Sequence, residues 1–456
     1  MVLRFLCLLL FVAWTAEVDT DVILYYGGMW RSPFQVLGPL FESLPVVRQP
    51  AWNLMLIALA PFCLLQRGAF RRRAWPMDAS VMLALLTIVA GLAWGLARGG
   101  SGYQAYFQLR AIVTALVTAL LLRTAARAPR DLAALGITVL AAALVRGTLA
   151  IYFYLAHVRG RSFADYPRWM TTHDDSALFV AGILVALSWA LARMRRRTWL
   201  AAAAVTGYLL IATLLNNRRL AWVELVAALL CVYLLVPQLR TRRRVNRWLL
   251  LAAPILVVYI ALGWGRSETI FAPVRAIDSM TGTDEDSSSL ARNEENLNLV
   301  YTYLQHPLLG SGWGHGYLQV SSTYTHFGDD FLQYPYLPHN SFVGIVAFSG
   351  LVGLLGLWSV VPVAGFLSAR SCRLSETPVE HAAAIFSFSV LPVYGLQLYG
   401  DMGLQSLTAG LLLSIAIAAS GRLPAWTGAW PTRERRNSAQ SRRATAAYPE
   451  DPVPDQ

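Results

Sequence analysis

The fold is decided by two neighbouring segments, RNEENLNLVYTYLQHPLLGSGWGHGYLQV (residues 292–320) and YLPHNSFVGIVAFSGLVGLLG (residues 336–356). The first is a polar segment that contains Arg292 and ends in a glycine-rich turn. The second passes His339 and Asn340 and continues at once as an apolar run long enough to enter a bilayer. The sequence therefore predicts that His339 and Asn340 lie at the mouth of a membrane helix.

The whole chain shares this apolar character. Of its 456 residues, 56% are hydrophobic and only 14% are charged, whereas soluble domains carry about 25% charged residues. Apolar runs of membrane-spanning length recur without a period-two alternation, which excludes a β-barrel. We therefore predict an all-α polytopic membrane protein with about twelve transmembrane helices, at residues 2–16, 51–66, 78–98, 104–122, 131–156, 174–192, 198–215, 219–237, 248–264, 340–368, 380–397 and 404–420.

The net charge of +12 comes from arginine, because the chain contains no lysine; a GC-rich genome is the simplest cause. Most arginines lie in short connections on one predicted side, as the positive-inside rule requires of cytoplasmic loops. This orientation places both termini inside and residues 265–338 outside, in the periplasm of a bacterial inner membrane. It also excludes nucleic acid as a partner. Residues 1–16 could be a signal peptide, but the poor cleavage signature favours an uncleaved first helix.

The charge and hydropathy pattern divides the chain into four parts. Residues 1–204 form N-terminal membrane helices, and residues 205–368 form a core that includes the large outside loop. Residues 369–420 form the C-terminal helices, and residues 421–456 read as a disordered basic cytoplasmic tail. The cysteines show no spacing typical of a disulfide framework or a zinc site.

His339 is the first candidate for catalysis. Asn340 or Ser341 could cap the helix that follows, and the free N–H groups of that helix end favour an anion nearby. The same partial positive charge favours a neutral imidazole, which could accept a proton or position a group beside a phosphate. The alternative is an interfacial histidine that only caps the helix.

Arg218 and Arg219 occupy a very short turn that the predicted topology places outside. Such a pair runs against the positive-inside bias, and bidentate binding of a diphosphate would explain it. The alternative is that both side chains reach lipid headgroups. Arg292, in the outside loop, could bind the same anion or be an ordinary surface arginine.

Arg110 and Arg146 lie inside apolar runs, where charged side chains are costly and are functional candidates by default. They could line a polar cavity that opens outward and bind substrate. Alternatively, they could pair with Glu224, which also lies within a predicted helix.

Two further motifs have simpler interpretations. The alternate glycines of HPLLGSGWGHG (residues 306–316) do not form a nucleotide-binding fingerprint, because no strand precedes them; we predict a tight turn that folds the loop onto the helices. The groups at residues 173–175 (HDD) and 326–330 (HFGDD) lack the spacing of a known metal site. We expect no metal and no cofactor.

Four features in order resemble the O-antigen ligase and polymerase superfamily of bacterial inner-membrane proteins: the arginine turn Asn217–Arg219, the loop arginine Arg292, the turn from Pro307 to Gly314, and PHNSF from Pro338 followed by a glycine-rich helix. The resemblance covers roughly residues 205–365. The family usually has a small residue after the arginine of this turn, whereas here a second arginine, Arg219, follows.

The resemblance implies metal-independent, inverting glycosyl transfer in the periplasm, from a glycan on undecaprenyl diphosphate to a sugar hydroxyl. The acceptor would be lipid A-core for a ligase or another lipid-linked glycan for a polymerase, in lipopolysaccharide or exopolysaccharide assembly. By motif matching, Arg218, Arg292 and His339 would be catalytic; Arg219, Asn340, Arg146 and Arg110 are kept as substrate-binding candidates. A flippase and a chain-length regulator would be partners, alongside membrane lipids.

Three other functions stay open at this point. A protein O-oligosaccharyltransferase would share the donor chemistry but transfer the glycan to a protein. A flippase for lipid-linked glycans would need charged residues through the full membrane depth, and here the notable ones cluster toward one side. A membrane scaffold would leave Arg218, Arg219 and His339 unexplained.

Overall fold

The computed structural model describes residues 2–16, 51–64, 75–159, 170–236, 239–266, 268–281, 287–323 and 334–430. Within these ranges the chain is helical and has no strand. Nine helices in the described part are long and apolar enough to cross a membrane. The chain is therefore a multi-pass, all-α membrane protein, and the predicted fold class is confirmed.

The α-helices are numbered in chain order. They are α1 (Val2–Ala16), α2 (Ala51–Leu64), α3 (Trp75–Ala97), α4 (Gly102–Ala125), α5 (Pro129–Phe153), α6 (His173–Arg193), α7 (Arg196–Asn216), α8 (Arg219–Leu235), α9 (Leu239–Gly263), α10 (Ala272–Thr281), α11 (Ser287–Gln305), α12 (Ser341–Trp358), α13 (Val360–Leu374), α14 (Pro378–Gly400) and α15 (Leu407–Thr427).

Every segment predicted to span the membrane coincides with one of these helices or, for residues 340–368, with the pair α12 and α13. The agreement follows from the length of the apolar runs. Helices α1, α2 and α8 have 15, 14 and 17 residues, fewer than the roughly 20 that cross a bilayer without help. They are the three predicted spans that fall outside the nine long ones.

Helix α15 is the centre of the bundle. An 18-residue apolar stretch of α15 is 94% buried, and the helix packs against α4, α13 and α14. A tail was predicted to begin at residue 421, but residues 421–427 belong to α15, and residues 421–425 are buried. Arg422 explains the error: its guanidinium donates to the carbonyl oxygens of Arg123 and Thr124 at the end of α4, so an arginine that reads as a tail residue is satisfied inside the bundle. Residues 431–456 lie outside the described part.

Helices α6, α8 and α14 pack against one another. The antiparallel arrangement brings the start of α6, the start of α8 and the end of α14 to the same end of the bundle. Helix α11 packs against α12 and carries Arg292 toward this end. Residues far apart in sequence thus meet at one face, which is where the predicted site residues lie.

Helix α12 is interrupted at Gly350, whose φ of 61° and ψ of −166° are not helical. The segment of residues 306–317, here called the glycine strap, lies in this break. Its N–H groups at Ser311 and Gly312 donate to the carbonyls of Ala347 and Phe348. In return, the N–H groups of Leu351 and Val352 donate to carbonyls of the strap. Each backbone group that the break frees therefore has a partner, as burial requires.

The glycine strap also contacts α3 and α4. Gly310, Gly312 and Gly314 all have positive φ, between 68° and 96°, and a Cβ on Gly312 would collide with the backbone of Gly95. Glycine is required here because both the conformation and the close approach exclude a side chain. The predicted tight turn that folds onto the helices is present.

Helix α11 begins at Ser287, so the polar segment that contains Arg292 is helical. Its polar side chains face inward: Asn298 and Thr302 hold backbone groups of residues 318–321. Its apolar face, which includes Leu297 and Leu304, is exposed. Such an orientation suits a helix that lies at a membrane interface.

Candidate active site

Arg218 is fixed by the turn between α7 and α8. Asn217 ends α7 in the left-handed region (φ 54°), and Arg218 is the N-cap residue of α8. The Arg218 side chain is 6% exposed. Its Nη2 donates to the carbonyl of Thr171 at 3.2 Å. The sharp turn therefore directs this guanidinium inward, against the start of α6.

The neighbouring residue Asn216 ties the same turn to α6. Its side-chain oxygen accepts from the N–H of Thr171 at 2.8 Å, and its amide nitrogen donates to the carbonyl of Thr172. On the other side, Arg275 of α10 donates to the side chain of Asn217 at 2.7 Å. These bonds hold the arginine turn in one position, so Arg218 is pre-organised to meet a ligand.

His173 lies between Arg218 and an aspartate. Its Nε2 is 2.6 Å from Nη1 of Arg218, and its Nδ1 is 3.1 Å from Oδ2 of Asp401. A guanidinium has only donors, so Nε2 must be the acceptor and carries no proton. The neutral imidazole then carries its proton on Nδ1, on the side of Asp401. His173 thus links a cation to a carboxylate.

His339 has its own acidic partner. The buried Glu295 accepts from the backbone N–H of His339 at 3.1 Å, and the same oxygen is 3.4 Å from the ring nitrogen Nδ1. The carbonyl of His339 accepts from the N–H of Met402 at 2.7 Å. These contacts orient the imidazole and leave its Nε2 on the far side of the ring from Glu295, a geometry suited to a general base.

Tyr317 of the glycine strap lies near Glu295 and the neighbouring Glu294. Burial, and then the negative charges of Glu295 and Glu294, raise the pKa of its phenol above the ordinary value. The hydroxyl is buried and has no hydrogen-bond partner among the described residues. It stays protonated at neutral pH, so it can donate a hydrogen bond.

Arg292 completes the group from α11. Arg218, Arg292 and His339 all lie within electrostatic range of the His173 imidazole, so the four side chains share one end of the bundle. The structure thereby brings together the three residues that the sequence singled out as catalytic. Positive charge from two arginines beside a histidine is suited to binding an oxyanion or a diphosphate.

The four predicted substrate-binding residues differ in their surroundings. Asn340 accepts from the N–H of Val343 at 3.2 Å and caps α12, which is the capping role considered for Asn340 or Ser341. Arg219 is exposed, in contrast to Arg218. Arg110 is also exposed, with its guanidinium 5.1 Å from the ring centroid of Phe107.

Arg146 is buried in α5 and forms a bidentate ion pair with Asp175, at 2.7 and 2.6 Å. The alternative pairing with Glu224 is not what the structure contains, because neither oxygen of Glu224 accepts a hydrogen bond from a described residue. Asp175 accepts one bond on each carboxylate oxygen, the bidentate arrangement that a guanidinium and a carboxylate favour. Glu224 is instead within electrostatic range of Asp174 and Asp401.

The HDD motif at residues 173–175 thus has three separate partners rather than a common metal. His173 contacts Arg218, Asp174 accepts from Gln397 at 3.2 Å, and Asp175 pairs with Arg146. The second motif, at residues 326–330, lies outside the described residues.

Sequence reasoning missed the roles of His173, Asp401 and Glu295. Each is separated from its partner by tens of residues, and no local spacing connects them. A usable signal existed only for His173, since HDD opens an apolar helix at the same predicted side as Arg218. Asp401 and Glu295 are recognised only when the helices are packed.

Part of the chain matches a known protein family. Residues 204–358 match a family model described as O-antigen ligase. The matched segment contains Arg218, Arg292 and His339, whereas His173 and Asp401 lie outside it. No curated protein matches the chain.

Proposed function

We propose, from the premise that residues 204–358 form an O-antigen ligase domain, that this chain transfers a glycan from a lipid diphosphate to a sugar hydroxyl. The match to this family supports a role in polysaccharide assembly, as a glycosyltransferase-type enzyme of the membrane. The finer proposal concerns the donor, an undecaprenyl-diphosphate-linked glycan, and the face of the reaction, which is periplasmic.

The observation that supports the proposal most strongly is the convergence on His173. Arg218 and His339 are 121 positions apart in the chain and precede different helices, yet both lie near the same imidazole, together with Arg292. A scaffold or a transporter does not require two arginines and a histidine beside one helix mouth. Glycosyl transfer from a diphosphate would use both: cations for the leaving diphosphate and a base for the acceptor hydroxyl.

The reaction needs help at two places: the leaving diphosphate and the acceptor hydroxyl. As the acceptor oxygen bonds to the anomeric carbon, the bond from that carbon to the diphosphate oxygen breaks and the electron pair leaves with the diphosphate. Arg218 and Arg292 stabilise the negative charge that develops there. His339, oriented by Glu295, takes the proton of the acceptor hydroxyl. Direct displacement inverts the anomeric centre.

His173 and Asp401 act through Arg218. The imidazole accepts from Nη1 of Arg218 and is oriented by Asp401, so both are positioning residues. Arg219 and Asn340 lie beside the pair Arg218–His339 in sequence and contribute to the shape of the mouth. Arg110 and Arg146 lie in other parts of the bundle. Arg146 joins α5 to α6 through its ion pair with Asp175.

The test is reconstitution of the purified chain with a lipid-diphosphate-linked oligosaccharide and either lipid A-core or a second lipid-linked glycan. We expect transfer that EDTA does not abolish and a product with inverted anomeric configuration. Transfer to core identifies a ligase, and elongation of the lipid-linked glycan identifies a polymerase. Transfer only to a protein acceptor, or a retained configuration, would overturn the proposal.

A further inference from the structure

A cavity lies at the opposite end of the bundle from the Arg218–His339 site. It has a volume of about 480 Å³ and is bounded by α5, α6, α7, α14 and α15. Helices α5 and α7 are close together near Gly147 and Leu209 and leave the cavity between their other ends. Its walls are mostly apolar and include Ile137, Ala201 and Phe386. Cavities of this size hold small molecules or a lipid chain.

The cavity opens toward the surrounding lipid. Ile137 and Ala201, which line it from α5 and α7, are exposed, and so are Trp199 and Leu200 beside them. Deeper in, the hydroxyls of Ser188 and Ser387 line the cavity. They are 1% and 0% exposed and have no hydrogen-bond partner among the described residues. An apolar cavity with such hydroxyls suits an acyl chain with an ester linkage.

The mouth of the cavity is positively charged. Arg197 and Thr198 line it, and Arg193, Arg195 and Arg196 in the adjoining turn are exposed. In the described parts of the chain, Arg197 enters no hydrogen bond or ion pair. These residues also begin α7, whose N-cap Arg195 makes no side-chain cap bond. Arg197 and the uncapped start of α7 therefore lie at the same end of the cavity, which favours a phosphate there.

We propose that this cavity binds an anionic phospholipid, with the phosphate at Arg197 and the start of α7 and one acyl chain in the cavity. Basic pockets between membrane helices are typical sites for such headgroups. The lipid would come from the leaflet opposite the Arg218–His339 site. Helix α6 separates the two ends by 21 residues, about 30 Å at 1.5 Å per residue. The donor diphosphate of the proposed reaction therefore cannot be the group that Arg197 holds.

The experiment compares the full-length protein in nanodiscs of phosphatidylglycerol and of phosphatidylcholine, with bound lipid identified by native mass spectrometry after detergent extraction. We expect retained phosphatidylglycerol and a higher melting temperature in that lipid. Arg197→Ala should lower the affinity about tenfold or more, because a hydrogen-bonded charge is lost. Arg370→Ala is the matched control, since this exposed arginine lies at the same end on α13. It should stay within about threefold of the wild type.

A second variant keeps the test decisive if Arg197→Ala folds poorly. Ala383→Phe fills the cavity from α14, so it should abolish lipid retention without lowering the melting temperature in phosphatidylcholine. Equal retention of both phospholipids by the wild type, retention of a polyprenyl lipid in place of a phospholipid, or no retained lipid at all would overturn the proposal.

Discussion

Replacing Arg218 tests whether the buried arginine of the turn carries the transfer reaction. Its guanidinium holds Thr171 O at 3.2 Å and His173 Nε2 at 2.6 Å, so it is positioned before substrate arrives. A pre-organised donor that stabilises a developing anion contributes about 3–4 kcal/mol, or roughly a 10²- to 10³-fold change in rate. We therefore expect Arg218→Ala to lower the turnover number by that factor. Arg218→Lys should fall between, because lysine keeps the charge but cannot make both contacts.

Arg219 provides the matched comparison. It follows in the same turn and carries the same charge, but its side chain is exposed. Arg219→Ala should therefore lower turnover by less than about tenfold, since exposed charges are screened by water and salt. The assay is transfer from a purified lipid-linked donor, normalised to folded protein by gel filtration. The reasoning would be refuted if Arg218→Ala kept more than about a third of the activity, or if Arg219→Ala lost as much.

Three further predictions concern the support of the site. Glu295→Ala should lower turnover about tenfold with little change in KM, because Glu295 would no longer hold the His339 imidazole in its orientation. Steady-state kinetics measure both constants, and a change in KM alone would contradict this prediction. Gly312→Ala should destabilise the protein by about 2–5 kcal/mol through positive φ and overpacking. Gly99→Ala, with φ +90° in open space, should cost about 1–2 kcal/mol, and equal melting temperatures for these two variants would disprove the packing argument. Arg146→Leu should lower stability by about 3–5 kcal/mol, and adding Asp175→Leu should restore much of it; additive losses in a thermal melt would argue against the buried pair.

The sequence predicted the helices well because membrane spans depend on a property of contiguous residues. The length of each apolar run located each helix, and arginine placement in the connections separated them. The strap was predicted as a turn onto the helices, but not its place in the break of α12. Gly350 interrupts α12 and frees backbone groups between residues 347 and 352, and these groups bind the glycine strap. The composition of an otherwise helical segment does not predict that one glycine will interrupt it.

The candidate site was predicted in part. Arg218 and His339 stood out because each breaks a local expectation: charge in a minimal turn, and a histidine at the start of an apolar helix. Arg292 was singled out only by the resemblance to the O-antigen ligase family. The residues that orient them do not break any such expectation. Glu295 reads as one acid in a polar helix, and Asp401 reads as part of a short loop. Their roles arise from the packing of α11 on α12 and of α14 on α6 and α8.

The most direct test of the central claim is made in a strain that has only the Arg218→Ala/His339→Ala protein. Lipid-linked glycans are extracted after treatment of intact cells with a membrane-impermeant label for sugars, and their length and labelling are compared with those of the wild type. If this end of the bundle performs glycosyl transfer, unreacted lipid-linked glycan accumulates on the outer face and is labelled. Normal surface polysaccharide in this strain, or accumulation of unlabelled glycan on the inner face, would contradict the account.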